Sequence, residues 1–364
     1  MKIPYVDLSY KNKSKKELIK VFKKVLDKGQ FVGGDEIDLF EKKIAKLCGT
    51  NYAVALNSGT DALTLALHLL GVRKGDEVIT PPNSFIASTA VIVHLGAKPV
   101  FVDVLSDQNI DPNKIQSAIT KKTKVIMPVH LSGRMSQMDK IMSIAKKNKI
   151  SVVEDAAQSV GSKYKNKKLG SYGDLGCFSA HHLKNLNALG DSGYLTTNSF
   201  KYYKKIKSLS NHGMENRNII KNFGHVSRMD NLQAAFLNYK LKNLDKVISQ
   251  RRKNALIYMK ELDRKFVFFN DEKKVEFNTY HTFVIQVRFR NKLRKYLLDK
   301  GIATSIHYPV PIHLQPASKY LGHKIGDFKT TEIQSQRILT LPVNENLTSN
   351  QIKYICRCVN KFYV

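Results

Sequence analysis

Residues 177–193 read CFSAHHLKNLNALGDSG. Lys184 follows an apolar run, LGCFSA (175–180), with two histidines behind it and a glycine-rich turn ahead. A lysine held at the end of a strand can form a Schiff base with a carbonyl. Lysine is common here, with 60 Lys+Arg in 364 residues, so the case depends on what stands beside it. Ser179, a few residues earlier, can donate to a phosphate. In VVEDAAQS (152–159), Glu154 and Asp155 end another apolar run. A carboxylate there could bind a metal, act as a base, pair with a protonated ring nitrogen, or cap a helix. In NSGTDAL (57–63) a Ser-Gly-Thr turn separates a strand from a helix. The free N–H groups and positive dipole end of such a helix suit a phosphate. Gly59 lets the backbone approach closely and Thr60 adds a hydroxyl, although an ordinary N-cap uses the same residue types.

A phosphate cradle, a strand-end carboxylate and a strand-end amine are the parts needed to hold pyridoxal 5′-phosphate. The carboxylate keeps the ring nitrogen protonated, so that the ring can accept electrons from the reacting carbon. Phe85, in PPNSF after another strand, can stack on the ring or serve the core. Other chemistries lack their signatures. No G-x-G-x-x-G opens a βαβ unit, and there is no phosphate-loop lysine and no G-x-S-x-G elbow.

The elements that must position these groups follow from periodicity. YAVAL (52–56), DEVIT (76–80), KPVFVDV (98–104), TKVIMPVH (123–130), ISVVEDA (150–156) and LGCFSA (175–180) alternate with helical stretches. That pattern predicts an α/β fold, a mostly parallel sheet covered on both faces, with ligands at the carboxyl ends of its strands. Residues 229–263 lack Gly and Pro and keep helical spacing, which predicts one long helix or two nearly continuous ones. Beyond it the sequence offers a strand (280–289), a helix (NKLRKYLLDKG), a strand (IATSIHY) and two terminal helices. The division expected is 1–250, a large cofactor-binding α/β domain with an N-terminal arm, and 251–364, a smaller α+β domain.

With 42% hydrophobic residues, the chain can bury such a core. No segment is apolar for long enough to cross a bilayer, and the N-terminus lacks the apolar stretch of a signal peptide, so a cytoplasmic protein is expected. The four cysteines have no framework spacing, and neither disulfide nor metal is expected. The net charge of +30 is spread through lysines along the whole chain without a nucleic-acid motif. It points to an anionic substrate and to no specific nucleic acid.

The blocks IPYVDL (3–8), GQFVGGDEIDLFEKKIAKLCG (29–49), LNSGTDAL (56–63), GDEVITPPNSFIAS (75–88), VHLSGRMSQMD (129–139), VEDAAQSVGS (153–162), CFSAHHLKNLNALGDSG (177–193), SRMDNLQAA (227–235) and IHYPVPIHLQ (306–315) occur in this order. In them nearly the whole chain resembles the sugar aminotransferases of the DegT/DnrJ/EryC1/StrS group. The resemblance implies the pyridoxal-phosphate-dependent aminotransferase type I fold and a homodimer with shared active sites. It makes Lys184 the Schiff-base lysine and proton carrier, and sets Asp155 against the pyridinium and Gln158 beside the ring oxygen. Gly59, Thr60 and Ser179 then hold the phosphate, and Phe85 stacks on the ring. Many relatives have Pro where His182 stands, and Asn, reaching the phosphate across the dimer, where Val226 stands. Related dehydratases carry histidine at the lysine position, whereas K-N-L-N-A-L-G-D keeps a lysine there, which favours transamination over dehydration.

IHYP followed by P-x-H is similar to members acting on nucleotide-linked keto-sugars, particularly at the 3-position. The resemblance implies transfer from L-glutamate, leaving 2-oxoglutarate, to a UDP- or dTDP-linked keto-sugar, giving an amino-sugar for surface glycans. His307 and Tyr308 are then substrate contacts. Arg228, from the partner subunit's loop, is expected at the diphosphate, where a guanidinium fork suits phosphate.

Overall fold

The computed structural model describes residues 2–10 and 12–364. The β-branched runs form strands β1 (Tyr52–Leu56), β2 (Glu77–Thr80), β3 (Lys98–Phe101), β4 (Thr123–Ile126) and β5 (Ser151–Asp155). A small hairpin, β6 (Lys163–Tyr164) and β7 (Lys167–Lys168), precedes β8 (Leu175–Ser179) and β9 (Gly193–Thr197). Seven of these make one sheet in the order β1-β9-β8-β5-β4-β2-β3. Its neighbours run parallel except at β9, which is antiparallel to both β1 and β8. The sequence reading missed β9. Only Tyr194 and Leu195 in GYLTT are apolar, so the segment lacks a strong strand signature.

Helices α1 (Asn12–Lys28) and α2 (Asp35–Cys48) precede the sheet, and α3 (Gly59–Leu69) and α4 (Ala87–His94) connect its first strands. Alternate side chains along each strand enter opposite cores. Val54, Val78 and Val153 pack with Leu63, Leu67 and Val91 of α3 and α4. Ala55, Ile79 and Val152 pack on the other face with Phe40 and Ile44 of α2. Apolar residues on both strand faces are what a doubly covered sheet requires.

The stretch predicted helical over 229–263 forms two helices, Asn231–Leu241 and Leu244–Glu261. The second crosses the boundary expected near residue 250: Leu244 and Ile248 join the main core, while Ala255 and Tyr258 join a separate C-terminal core. That core surrounds a three-stranded sheet of Val267–Phe268, Phe283–Val287 and Ile338–Leu341. Two expectations need correction. The N-terminal arm packs on the C-terminal unit, with Ile3 buried in its core and bridged to Ile302. IATSIHY is not a strand but touches the sheet through one bridge, Ser305 to Thr340. Pro309 and Pro311 follow at once and cannot donate to a ladder.

Candidate active site

The first wall of the site is built where strands end. β1 runs into Ser58, whose hydroxyl caps α3 by accepting from Asp61 N–H at 3.0 Å. The N–H groups of Gly59 and Thr60 come ahead of any intrahelical bond and remain available to a ligand. Ser179, at the end of β8, lies against this helix start: a Cβ on Gly59 would sit 2.7 Å from Ser179 Cβ. A Cβ on Gly193 would sit 2.2 Å from the Ser58 carbonyl carbon. Glycine at both positions lets β8, β9 and the α3 turn meet, so helix N–H groups and a serine hydroxyl border one space. Gly59, Thr60 and Ser179 all line a cavity of about 330 Å³, within the size range of small-molecule sites.

Glu154 and Asp155 were equal candidates, and strand pleating separates them. Glu154 turns to the Val152 side and is fully buried in structural bonds. Its oxygens accept from Tyr172 N and Gly173 N, both at 2.8 Å, and meet His130 Nε2 at 3.1 Å. Asp155 instead lines the cavity. It accepts from Ser88 Oγ at 2.7 Å and Ala157 N at 3.2 Å. Burial raises its pKa, and these hydrogen bonds only partly oppose that. Both bonded partners are neutral; Lys184 acts on the carboxylate through space, but no cation is ion-paired with it among the described residues.

Lys184 lies on the loop that joins β8 to β9. The loop is pinned by Ala188 N–H to the Ala180 carbonyl and Ala180 N–H to the Ser192 carbonyl, both 2.7 Å, and Lys184 N–H donates to the His181 carbonyl at 2.8 Å. Burial pulls the ε-amine down to about 8, with Asp155 acting in the opposite direction. Such an amine is far more available as a nucleophile and base than an exposed lysine.

The opposite wall comes from distant segments. Phe85 lines the cavity and is 55% exposed, its ring 6.0 Å from that of Tyr308. Gln158 accepts from Ser132 N–H at 3.0 Å and donates through Nε2 to Tyr308 OH at 3.3 Å. Burial pushes the Tyr308 phenol up to about 12, so it stays neutral. His307 Nδ1 lies 3.0 Å from Thr340 Oγ1, and burial together with Lys184 pulls its imidazole down to about 4. Tyr5, Arg251, His281 and Asn344 also border the cavity and were not singled out from the sequence. Their signal is weak, because each stands alone in an arm, a helix or a loop and meets the others only by folding.

Of the residues named in advance, Lys184, Gly59, Thr60, Phe85, Asp155, Gln158, Ser179, His307 and Tyr308 all line the one cavity. Arg228 does not line it within its own chain, and donates instead to Asn211 Oδ1 at 3.0 Å. Among the described residues no cluster of three His, Cys, Asp or Glu could hold a metal ion, and no helix is long and apolar enough to cross a membrane.

A buried carboxylate with no ion-paired cation among the described residues, an amine tuned toward neutrality and a helix start facing one cavity fit pyridoxal 5′-phosphate. The comparisons with known proteins agree. Residues 12–360 match the model of the DegT/DnrJ/EryC1/StrS aminotransferase family. The chain is 37% identical to the dTDP-3-amino-3,6-dideoxy-α-D-galactopyranose transaminase of Aneurinibacillus thermoaerophilus, over 99% of each protein. It is 36% identical to a protein of Geobacillus stearothermophilus named a pleiotropic regulatory protein, over 100% of this chain and 99% of that one. Its structure superposes with a TM-score of 0.96 on S. venezuelae DesV in complex with a ketimine intermediate, at 33% identity and covering 99% and 98% of the two chains. The chain belongs to the DegT/DnrJ/EryC1/StrS aminotransferase family and is a pyridoxal 5′-phosphate-dependent sugar aminotransferase.

Proposed function

We propose that the protein moves an amino group from L-glutamate to a nucleotide-linked keto-sugar, with the ketone at the 3-position and UDP or dTDP as the carrier. The observation that carries this reading is the convergence of Lys184, Asp155 and the start of α3 on one cavity. Support for the substrate class comes from the 3-amino product in the name of the Aneurinibacillus relative and from the IHYPVPIHLQ segment, which brings His307 and Tyr308 to the cavity.

When bound, pyridoxal 5′-phosphate supplies a reactive carbonyl and an electron-accepting ring. Gly59 and Thr60 offer N–H groups to its phosphate and Ser179 a hydroxyl. Asp155 keeps the proton on the ring nitrogen, and its own burial makes that positive partner welcome. Phe85 covers a ring face and Gln158 stands beside the ring oxygen. Lys184 is the covalent tether. Once released by glutamate, its neutral amine takes the donor's α-proton and gives it back later in the same turnover. In the second half, Lys184 moves a proton in the reverse sense at the sugar carbon. His307 and Tyr308 orient the sugar, both uncharged at neutral pH, while binding of the remote diphosphate fixes its position.

A homodimer completes the site in this reading. Phe31, Val32, Leu189, Val226 and Leu232 are large apolar side chains left exposed. Val32 is bridged to Asp230 and Leu189 is bonded to Gln233, so several of these gather beside Arg228. Such a surface suits a second copy, whose Arg228 would then reach the diphosphate.

The direct test is incubation with L-glutamate and a panel of 3-keto and 4-keto nucleotide sugars, read by product mass. Formation of a 3-amino sugar with 2-oxoglutarate supports the proposal. Turnover that needs no glutamate identifies a dehydratase or lyase instead, and no turnover of any sugar removes the substrate assignment.

A further inference from the structure

His281 borders the same cavity as Lys184. Its Nδ1 lies 3.4 Å from Asn185 Oδ1. Asn185 directly follows Lys184, and its amide is oriented because Nδ2 donates to the Thr279 carbonyl at 3.1 Å. Oδ1 is therefore left to accept, Nδ1 carries the proton, and Nε2 keeps the lone pair. Among the described residues nothing bonds Nε2, yet it is not one of the buried atoms lacking a partner, so it faces open cavity. The backbone that carries the ring is held firmly. Arg251 Nη1 donates to the His281 carbonyl at 3.2 Å, and Arg251 Nη2 is fixed by Glu345 at 2.9 Å.

The Lys184 amine in this space likewise makes no hydrogen bond among the described residues and is not enclosed. One nitrogen is a donor and the other an acceptor. The other charged or titratable groups that act on the imidazole are Arg251 and His307, and burial first, then the positive charges of Lys184 and Arg251, hold it neutral, well below its ordinary value. A free lysine side chain has many rotamers and needs a fixed partner to be aimed.

We infer that His281 is a positioning residue for Lys184: when the amine is free, Nε2 accepts a hydrogen bond from it and so limits its rotamers. The inference rests on Lys184 being the tether and proton carrier, so its test must separate the two claims. The holoenzyme is taken to its aminated form with excess glutamate, which frees the amine, and Lys184 is then acylated across a pH series and quantified by peptide mass. An acceptor stabilises the ammonium, so His281→Phe is expected to lower the midpoint of reactivity by about one pH unit. The same variant lowers kcat about tenfold with KM little changed. His281→Gln, whose amide oxygen can accept, recovers at least half of both effects. A Phe variant with the wild-type midpoint and kcat overturns the inference, and so does a Gln variant as impaired as Phe, which means packing alone was lost. If the Phe variant does not fold, Asn185→Ala, which frees the ring, is expected to shift the midpoint the same way, and no shift again overturns the inference. Borohydride labelling of wild-type Lys184 reports separately on the tether.

Discussion

The two walls of the cavity are built by different means. The cofactor wall is made of short contiguous motifs, each at the carboxyl end of a strand in one sheet: the α3 turn after β1, Asp155 on β5, and Ser179 with Lys184 after β8. The facing wall gathers Tyr5, Arg251, His281, His307 and Asn344 from the arm, a long helix and the C-terminal unit. In the proposed reading the first wall carries the chemistry common to the cofactor, and most of the second faces the substrate. The comparison therefore predicts that damage to the first wall abolishes chemistry, while damage to the second, His281 apart, changes substrate binding and leaves the bound cofactor intact.

The largest effect belongs to Lys184→Ala, expected to lower kcat about 10³-fold or more through loss of tether and proton carrier, with an unchanged melting profile. Asp155→Asn comes next, about 10²-fold in kcat from the loss of a preorganised charge, with the cofactor still attached to Lys184. Wild-type turnover in either variant would break the division between the walls.

The third prediction concerns the facing wall and stability. His307 titrates at about 4 when folded, against 6.5 ordinarily. The unfolded chain then binds the proton more tightly, so stability falls as pH drops below about 6.5 and continues to fall until about 4. At pH 5 the loss is on the order of 2 kcal/mol relative to neutral pH, roughly thirtyfold in the folding equilibrium. Urea titrations at both pH values measure it, and His307→Gln is expected to flatten the slope. An equally steep slope in that variant assigns the acid sensitivity elsewhere. Gly59→Ala is expected to weaken cofactor binding about tenfold, because the new methyl meets Ser179 at the phosphate cradle; equilibrium dialysis reads it. The smallest effect is that of Tyr308→Phe. Losing one neutral hydrogen bond, here that from Gln158, raises KM for the sugar about fivefold. An altered cofactor spectrum in this variant would show that the walls are not independent.

What was legible in the sequence divides along the same line. Strand-end chemistry is local, so Lys184, Asp155 and the Ser-Gly-Thr turn could be found as motifs, together with the strands that present them. The choice between Glu154 and Asp155 needed the pleat and the neighbours of each: one carboxylate is occupied by backbone N–H groups and His130, and the other is open to the cavity. β9 was hidden because threonines and a glycine fill most of a strand buried by its neighbours on both sides. IATSIHY looked like a strand because β-branched propensity reports fit to a pleated surface rather than the presence of a partner strand. His281 and Arg251 were invisible for a different reason, since no short-range spacing links either to Lys184, and only the packing of the C-terminal unit brings them there.

The central claim is that one amine, Lys184, carries the cofactor covalently. Reducing the holoprotein with borohydride and mapping its peptides tests this directly. The account predicts a reduced pyridoxyl adduct on the peptide containing Lys184 and on no other lysine. An adduct on a different lysine, or none in protein prepared with the cofactor, would contradict it.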